Sequence, residues 1–374
     1  AQPKPELAEG GTTFRDKYEV LGEIGRGSMG RVLLAYDRDL KRQVAMKVLT
    51  TTGDNARILR RFVEEAQISG QLEHPHLLPV HDVGITDEGD YFFTMKHVAS
   101  HVTLQAVIKG LRGGDPELHA LYPVERRVEI IQGLSRALAH AHDRGVVHRD
   151  VKPANVMIDE EGGVYLLDWG IARLRHELNE RARQAELIST GRAPIGSGTA
   201  YLVGTPVYMA PEQASATTPD ARADLYSLAA LLYEFLTLHH YLEGAGVLKR
   251  EREAREEEGT ALDRTQRVEE ATEIAAPGLS SNMQKLLQAV RHYLPRDAES
   301  YFETQNGRTP RILSRILRKG LAKDPEERFQ SAREFEGELR SWATGCGPVV
   351  CPGTALQSSM SSYSRWIDRH PLLV

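Results

Sequence analysis

The sequence predicts an α+β protein in which a small sheet carrying one helix is followed by a larger, mostly helical part. Three observations predict this class. Short runs rich in β-branched and aromatic residues fill much of the first hundred residues. One helical segment interrupts these runs, and long segments with helical periodicity come after them. The apolar content of 41% and the charged content of 26% are ordinary for a globular chain of 374 residues.

Composition and charge exclude several classes of protein. The 47 basic and 52 acidic residues give a net charge of −5, without the basic clustering that a nucleic-acid partner requires. The longest nearly apolar run, Leu225 to Leu238, is far shorter than the roughly 20 residues that span a bilayer. Two cysteines, Cys346 and Cys351, indicate free thiols in a reducing compartment. We expect a cytoplasmic protein, or the cytosolic part of a membrane-anchored parent.

The first hundred residues contain the predicted sheet. Residues 1–17 are polar and contain Pro and Gly, and we expect them to form a flexible arm. The predicted strands are Tyr18–Ile24, Val32–Tyr36, Gln43–Leu49, Leu77–Ile85 and Tyr91–Val98. Between the third and fourth strands, residues 55–72 have the spacing of apolar side chains that is typical of a helix.

The rest of the chain is predicted to be mostly helical. Asp220 can cap the start of the most apolar helix. The predicted helices are Pro123–Arg144, Asp220–Leu238, Arg308–Leu321 and Ser331–Trp342. A charge-dense stretch lies within 243–308, and residues 344–374 are predicted to be a loosely packed tail.

A glycine-rich segment follows the first predicted strand. Gly25, Gly27 and Gly30 fit the pattern G-x-G-x-x-G, which is a weak signal alone and also occurs in a glycine-rich hairpin turn. A dinucleotide-binding fingerprint should open a helix, but here a strand follows. A hairpin with glycines allows backbone N–H groups to lie over phosphates without obstruction by Cβ atoms.

Lys47 is predicted to lie in the middle of the third strand. An ammonium group between apolar neighbours requires a counter-charge when it is buried. Glu64 and Glu65 on the following helix could supply one. The alternative is a surface lysine on an edge strand.

The densest cluster of chemically active residues runs from His148 to Asn155, directly after an apolar run. Two short predicted strands follow and form a hairpin: Val156–Asp159 and Val164–Leu167. A hairpin returns the chain to its start, which brings Asn155 and Asp168 together as a hard-oxygen site suited to Mg²⁺ with substrate phosphates. Asp150 is then placed to accept a hydroxyl proton. The alternative is a polar surface loop before an ordinary hairpin.

These motifs occur in the order of a known family. The sequence resembles the eukaryotic-type, or Hanks-type, Ser/Thr protein kinases, and it is most similar to their bacterial branch. The motifs that carry the resemblance are Gly25–Val32, Val44–Lys47, His148–Asn155, Asp168–Gly170, Gly204–Gln213 and Leu321–Phe329. The resemblance covers residues 18 to 342 and implies a bilobal protein-kinase-like fold. In that fold an antiparallel-sheet lobe with one helix (18–98) precedes a mostly helical lobe (99–343) with an insertion at 243–308.

The resemblance implies transfer of the γ-phosphoryl group of Mg-ATP, with Mn²⁺ as an alternative metal, to Ser and Thr hydroxyls of protein substrates. It implies catalytic roles for Asp150, Lys152, Lys47 and Glu65, and metal binding by Asn155 and Asp168. The residues it implies for ATP binding are Ile24, Gly25, Gly27, Gly30, Val32, Ala45, Lys47, Met95, Lys96, His97, Val98 and Met157. Within this set Ile24, Val32, Ala45 and Met157 would sandwich the adenine, and Met95 falls at the gatekeeper position.

The resemblance also implies structural and regulatory residues. Glu212 would pair with Arg328, Asp224 would brace the catalytic loop, and Thr205 with Lys152 follows the Ser/Thr pattern. Arg149 before the catalytic aspartate suggests control by a phosphate on the segment after Asp168. The sites predicted for autophosphorylation are Thr199 and, second, Ser197. Trp169 stands where the family usually has Phe.

Two alternatives to an active protein kinase share part of this pattern. A pseudokinase-like scaffold that binds ATP predicts the loss of Lys47, Asp150 or Asp168, and all three are present. A small-molecule phosphotransferase shares the catalytic motifs but rarely carries the Gly204–Glu212 segment. Dimerisation for autophosphorylation in trans is compatible with the sequence, which does not identify the protein substrate.

Overall fold

The structure is a computed structural model with two units. It describes residues 14–27, 30–49, 56–99, 102–169, 173–174, 206–215, 219–247, 281–303 and 306–345. The first unit comprises Ala1–Glu73 and Leu78–Ser100, and the second comprises His74–Leu77 and His101–Val374. The chain enters the second unit briefly at His74–Leu77, returns to the first unit at Leu78, and enters the second unit again at residue 101.

A five-stranded antiparallel sheet with the strand order β1-β2-β3-β5-β4 forms most of the first unit. The strands are β1 Tyr18–Gly27, β2 Gly30–Asp37, β3 Arg42–Leu49, β4 Val80–Ile85 and β5 Tyr91–Lys96. The helices are α1 Phe14–Lys17 and α2 Ala56–Gln71. Each predicted strand is therefore present, and the predicted helix at 55–72 is confirmed as α2.

The two faces of this sheet bury different apolar clusters, because successive side chains in a strand point to opposite faces. On one face, Val44, Met46 and Val48 of β3 pack with residues of β1, β2 and β5. On the other face, Leu49 packs with Phe93, and Phe62 and Ala66 of α2 cover them. Lys47 is two residues before Leu49 in β3, so its side chain is on the same face of the sheet, which α2 covers.

The glycine segment is more regular than a loop. Strand β1 continues past the predicted end at Ile24, and Gly25, Arg26 and Gly27 pair with Val32, Arg31 and Gly30 of β2. Only residues 28 and 29 connect the two strands. A Cβ at position 30 would overlap the backbone carbonyl of Val48, so glycine is required there by the close approach of β3.

Strand β4 begins later than predicted. The predicted strand Leu77–Ile85 includes Pro79, which has no N–H to donate to a sheet ladder, and β4 begins at the next residue. Leu77 instead forms an isolated parallel bridge with Leu166 in the second unit.

The second unit is mostly helical, which together with the antiparallel sheet of the first unit confirms the predicted fold class. Its helices are α3 Leu104–Arg112, α4 Pro116–Leu121, α5 Val124–Asp143, α6 Pro211–Ala214, α7 Ala221–Thr237, α8 Ser281–His292, α9 Arg311–Gly320 and α10 Ala332–Thr344. Its short strands are β6 Val102–Thr103, β7 Val146–Val147, β8 Val156–Ile158, β9 Val164–Leu166, β10 Arg173–Leu174, β11 Phe302–Glu303 and β12 Gly307–Arg308. One-turn 3₁₀ helices occur at Pro153–Asn155, Pro206–Tyr208, Glu243–Ala245, Ala298–Ser300 and Pro325–Glu327.

Helix α7 lies at the centre of the second unit. Every residue from Ala223 to Thr237 is buried, as expected for a helix that is apolar on all sides. Asp220 caps its start by accepting a hydrogen bond from the N–H of Arg222, as predicted. Helix α5 packs against α7 on one side and α10 on another, so these three helices form the frame that supports the loops described below.

The structure contains helices that the periodicity analysis did not identify. Thr103 caps α3, and Asp115 caps α4 with Pro116 in the first turn. These are helix-start signals that were visible in the sequence. Helix α8 was also missed as an individual element, although the surrounding segment was expected to be helical.

The described parts of the 243–308 segment are integrated into the second unit. Leu286, Leu287 and Val290 of α8 are buried. Glu303 of β11 forms a bidentate ion pair, with N to O distances of 2.9 Å, with Arg127 of α5, whose side chain has no exposed surface. Residues 248–280 lie outside the described residues, so the boundaries of the predicted insertion remain a prediction.

Candidate active site

In the first unit, the counter-charge predicted for Lys47 is Glu65. Lys47 Nζ donates to Glu65 Oε1 at 2.6 Å and to Oε2 at 2.9 Å. Helical spacing explains the choice between the two glutamates, because residues three and four apart share a face of a helix. Glu65 and Ala66 follow Phe62 at these spacings on the sheet side of α2, whereas Glu64 is exposed. The pair thus holds a cation and its partner in fixed positions on the apolar face of the sheet.

The first-unit residues that the resemblance implies for nucleotide binding lie on neighbouring strands of this face. Val32 pairs across the sheet with Lys47, and Ala45 pairs with Met95. Ile24 and Val32 are half-buried. The N–H of Lys96 donates to the carbonyl oxygen of Pro79, so that N–H is already engaged. His97 and Val98 directly follow β5, and Met157 lies on β8 in the second unit.

In the second unit, the His148–Asn155 loop runs from β7 to the 3₁₀ turn that precedes β8. The carboxylate of Asp150 accepts hydrogen bonds at Oδ2 from Lys152 Nζ at 2.6 Å and from Asn155 Nδ2 at 3.2 Å. Asn155 Nδ2 also donates to the backbone carbonyl of Asp150 at 3.0 Å. Three residues predicted as functional are therefore in contact, and two donors orient one carboxylate.

His148 holds this loop against the hairpin that follows it. Its Nδ1 accepts from the N–H of Asp150 at 3.2 Å, and its Nε2 lies 3.0 Å from the carbonyl oxygen of Leu167. This pattern assigns the neutral tautomer with the proton on Nε2. The ring of Trp169 packs edge-on against His148, with centroids 4.5 Å apart. The sequence analysis assigned His148 no individual role. Its position two residues before Asp150 is the feature that could have indicated a side-chain contact with the Asp150 backbone.

The resemblance implies that Asp224 braces the same loop, and the Asp224 carboxylate on α7 accepts hydrogen bonds from two of the loop's N–H groups. Oδ2 accepts from the N–H of His148 at 2.8 Å and lies 2.8 Å from His142 Nε2, while Oδ1 accepts from the N–H of Arg149 at 2.7 Å. Complete burial opposes ionisation, but the hydrogen bonds from His142 and the loop outweigh it and hold the pKa of Asp224 below its ordinary value of 3.8.

This pKa has a consequence for stability in acid. Because Asp224 has a lower pKa when folded than when unfolded, its contribution to stability is fully present above its unfolded pKa and is lost as pH falls through about 4 and below. We expect Asp224→Asn to reduce the dependence of the unfolding free energy on pH in this window. Urea unfolding of both proteins at several pH values measures this difference, and an unchanged slope would contradict it.

Two residues of the site have left-handed backbone conformations. Arg149 has φ of 72° and Asp168 has φ of 64°. Residues other than glycine seldom adopt this region, and such conformations cost of order 1–3 kcal/mol. The Asp224 carboxylate on the Arg149 N–H, and Gln213 Nε2 donating to the Arg149 carbonyl at 3.1 Å, hold the strained residue in place. Gln213 was missed in the sequence, where nothing local indicates this distant contact.

The hairpin predicted to bring Asn155 and Asp168 together is present. Val156 pairs with Leu166, and the N–H of Leu167 donates to the carbonyl oxygen of Asn155 at 2.8 Å. Asp168 follows directly and is exposed.

An amide oxygen and a carboxylate are donors that fit Mg²⁺, which keeps several waters and substrate phosphates among its ligands. Among the residues that the structure describes, no group of three or more His, Cys, Asp and Glu side chains could hold a metal by itself. An amide oxygen and one carboxylate are a donor set that fits an ion bound together with a phosphate.

A buried ion pair holds the segment 206–215 against the turn that follows α9 within the second unit. Arg328 donates to both carboxylate oxygens of Glu212 at 2.7 Å, and its side chain has no exposed surface. Ser227 of α7 donates to the carbonyl oxygen of Tyr208 at 2.8 Å. These contacts place the segment beside the catalytic loop, to which Gln213 also donates.

Several sequence predictions lie outside the described residues. These are Thr199, Ser197, Thr205, Gly170, Cys346 and Cys351. No helix within the described part of the chain is long and apolar enough to cross a membrane.

Comparison with known proteins places this chain beside one family. Residues 18–334 match the family model described as protein kinase domain. The chain is 32% identical over 319 residues to the serine/threonine-protein kinase PknD of Mycobacterium tuberculosis, covering 85% of this chain and 38% of that protein. It is 30% identical to PknD of Protochlamydia amoebophila, covering 90% and 31% of the two chains. It is 40% identical over 230 residues to PknB of Mycolicibacterium smegmatis, covering 59% and 32%. The chain thus spans about a third of the length of these relatives.

Proposed function

We propose that this chain, which belongs to the protein kinase domain family, transfers the γ-phosphoryl group of ATP to Ser and Thr hydroxyls of proteins. The observation that carries the proposal is the Asp150 carboxylate, which Lys152 and Asn155 orient on a loop that Asp224 anchors. The names of the relatives support the choice of Ser and Thr over other acceptors. Neither these relatives nor the described residues favour the non-catalytic scaffold.

In this mechanism Asp150 accepts the proton of the substrate hydroxyl as its oxygen attacks phosphorus. Lys152 Nζ, 2.6 Å from the Asp150 carboxylate, offsets the negative charge on the phosphoryl group in transfer. Lys47, held by Glu65, binds nucleotide phosphates, and the backbone N–H groups of the paired glycines Gly25, Gly27 and Gly30 would lie over them. Most of the catalysis is therefore positioning and charge neutralisation.

Asn155 and Asp168 would hold magnesium, which when bound neutralises charge on the phosphates of the nucleotide. Because Asn155 Nδ2 donates to Asp150, its Oδ1 is the atom that would face the ion. The same amide therefore orients the catalytic carboxylate and would contribute to the metal site.

Asp150→Asn tests the proposal. We expect the rate of phosphoryl transfer from labelled ATP to a generic protein substrate to fall at least about 100-fold, because an amide cannot accept the proton. The matched control is Asp143→Asn at the end of α5, where the aspartate forms an exposed ion pair with Arg333. The control should keep nearly full activity. Equal incorporation by wild type and Asp150→Asn, or none by wild type, would overturn the assignment.

We further propose that activity is regulated by autophosphorylation at Thr199, with Ser197 second. After incubation with ATP and Mg²⁺, mass spectrometry should detect phosphate at these positions in wild type and not in Asp150→Asn. The Asp150 variant shows whether the phosphate comes from the chain's own activity. Phosphate confined to Ser189 or Thr190 would contradict the assignment of these sites.

A further inference from the structure

Two large apolar side chains of the second unit are unusually exposed to water. Leu294 is 72% exposed and Phe302 is 69% exposed, the highest values among the large apolar side chains that the structure describes. Single exposed apolar residues are common on protein surfaces, so exposure alone indicates no function. The surroundings of these two residues are what distinguish them.

Arginines lie beside both apolar side chains. Phe302 of β11 is directly opposite Arg308 of β12, so the two side chains stand on the same face of that hairpin. Leu294 lines a cleft together with Arg296 and Arg318. Each apolar side chain therefore has at least one exposed arginine next to it.

Helix α9 joins these two places into one surface. Arg311, Arg315 and Arg318 lie along one side of the helix, about 10 Å from first to last, and the opposite side is buried. Two ion pairs connect the arginine side to the segment before the hairpin: Arg311 with Glu299 at 3.4 Å, and Arg318 with Asp297 at 2.6 Å. We define the arginine face as Leu294, Arg296, Phe302, Arg308, Arg311, Arg315 and Arg318.

The arginine face is positively charged, although the whole chain has a net charge of −5. Its five arginines are accompanied by the carboxylates of Asp297 and Glu299, which leaves a net charge of +3. Glu303 of the hairpin is engaged in the buried ion pair with α5. Lys323 and Glu327, which also line the cleft, offset each other in charge. An anionic partner is therefore attracted to this face.

Two arginines of the face are available to such a partner without the loss of an existing ion pair. Arg296 and Arg308 are exposed, and within the described part of the chain no carboxylate lies at ion-pair distance from either of them. One of them lies on the side of Leu294 and the other on the side of Phe302. Positive charge and exposed apolar surface thus occur together at both ends of the face.

This combination favours a lipid surface over other anionic partners. A folded protein could bury Leu294 and Phe302 only in pockets that match them, whereas a fluid bilayer closes around apolar side chains that enter it. The headgroups of anionic lipids supply the negative charge in the same place. A nucleic acid or an acidic peptide supplies negative charge but no apolar interior for the leucine.

We propose that the arginine face binds the surface of anionic phospholipid membranes, with its arginines on the lipid headgroups and the side chains of Leu294 and Phe302 inserted between the lipids. Each arginine close to an anionic bilayer contributes about fivefold in affinity. The apolar side chains contribute through the surface that they remove from water. The face shares no residue with the site assigned to phosphoryl transfer, so the proposal does not depend on the proposed activity.

Co-sedimentation of the full chain with lipid vesicles tests the proposal without ATP. We expect binding at least about tenfold tighter to vesicles with about one third phosphatidylserine than to vesicles of phosphatidylcholine alone. The binding should weaken as salt is added, because salt screens exposed charges. The double variant Arg296→Gln and Arg308→Gln should bind the anionic vesicles at least about tenfold more weakly than wild type, because two unpaired charges are lost.

The matched control is the double variant Arg333→Gln and Arg340→Gln on α10. These arginines are also exposed, at 70% and 67%, but they pair with Asp143 and Glu336 and lie outside the arginine face. The control removes the same charge from the chain, so it separates the effect of this face from that of net charge. It should bind anionic vesicles as wild type does.

A third variant tests the insertion of the apolar side chains. Leu294→Ser with Phe302→Ser should weaken binding to anionic vesicles at least about tenfold, and folding should be unaffected because both side chains are exposed. Absence of binding by wild type, equal binding to neutral and anionic vesicles, or equal losses in the two arginine variants would each overturn the proposal. Full affinity in the serine variant, or equally tight binding to polyglutamate or single-stranded DNA, would also overturn it.

Discussion

Replacing Arg328 by alanine is expected to lower the free energy of unfolding by about 3–5 kcal/mol, because one partner of a buried ion pair is lost and the other remains. Arg328 donates to both oxygens of Glu212 and to the backbone carbonyls of Ala322 and Lys323. Without the guanidinium group these acceptors lose their donor in a buried environment. Denaturant unfolding followed by circular dichroism measures the loss.

Arg318→Ala is the matched control for this prediction. Arg318 also pairs with a carboxylate at 2.6 Å, that of Asp297, but the two side chains are 65% and 46% exposed. Exposed pairs contribute about 0–1 kcal/mol, so the control should unfold almost as wild type does. Arg328→Lys should lose most of the stabilisation as well, because an ammonium group cannot reproduce the bidentate contact. Similar losses at positions 318 and 328 would contradict the prediction.

Asp224→Asn is expected to lower both stability and catalysis. The carboxylate receives two N–H groups of the catalytic loop and the ring of His142, whereas an amide has one acceptor oxygen and must turn its NH₂ group toward one of these donors. A buried, charged hydrogen-bond acceptor is lost, and we expect a cost of about 3 kcal/mol in the free energy of unfolding. The strained Arg149 backbone also loses its anchor.

The expected kinetic result is a fall in kcat of about 100-fold with a KM for ATP close to that of wild type, because Asp224 positions Asp150 and contacts no nucleotide. Asp220→Asn is the control on the same helix. Asn caps a helix as well as Asp does, so the hydrogen bond from the Arg222 N–H survives there. A similar change in kcat for both variants, or an unchanged kcat for Asp224→Asn, would show that the anchor is not needed.

The local parts of the site could be predicted from the sequence. Glycines between two β-rich runs predicted the first hairpin, and two short apolar runs around Gly162 and Gly163 predicted the second, in which Val156 pairs with Leu166. Both predictions depend on interactions between residues close in the chain, for which turn chemistry and strand periodicity are sufficient. The same reasoning failed at Leu77, where a proline outweighed the β-rich pattern.

The long-range parts could not be predicted from periodicity or spacing. The anchor of the catalytic loop, Asp224, is 76 residues from His148, and Arg328 is 116 residues from Glu212. For these pairs the resemblance to a family was the only guide. The contacts of Gln213 and Glu303 had no signal at all, because they depend on which loops the packing of α5, α7 and α10 brings together.

Residue types and their order were enough to identify the fold class, the family and the side chains suited to phosphoryl transfer, because strands, hairpins and dense polar loops are encoded by neighbouring residues. Packing selected Glu65 over Glu64 as the partner of Lys47 and oriented the Asp150 carboxylate. These features depend on burial, which raises the cost of an unpaired charge or hydroxyl and exists only once distant segments have come together.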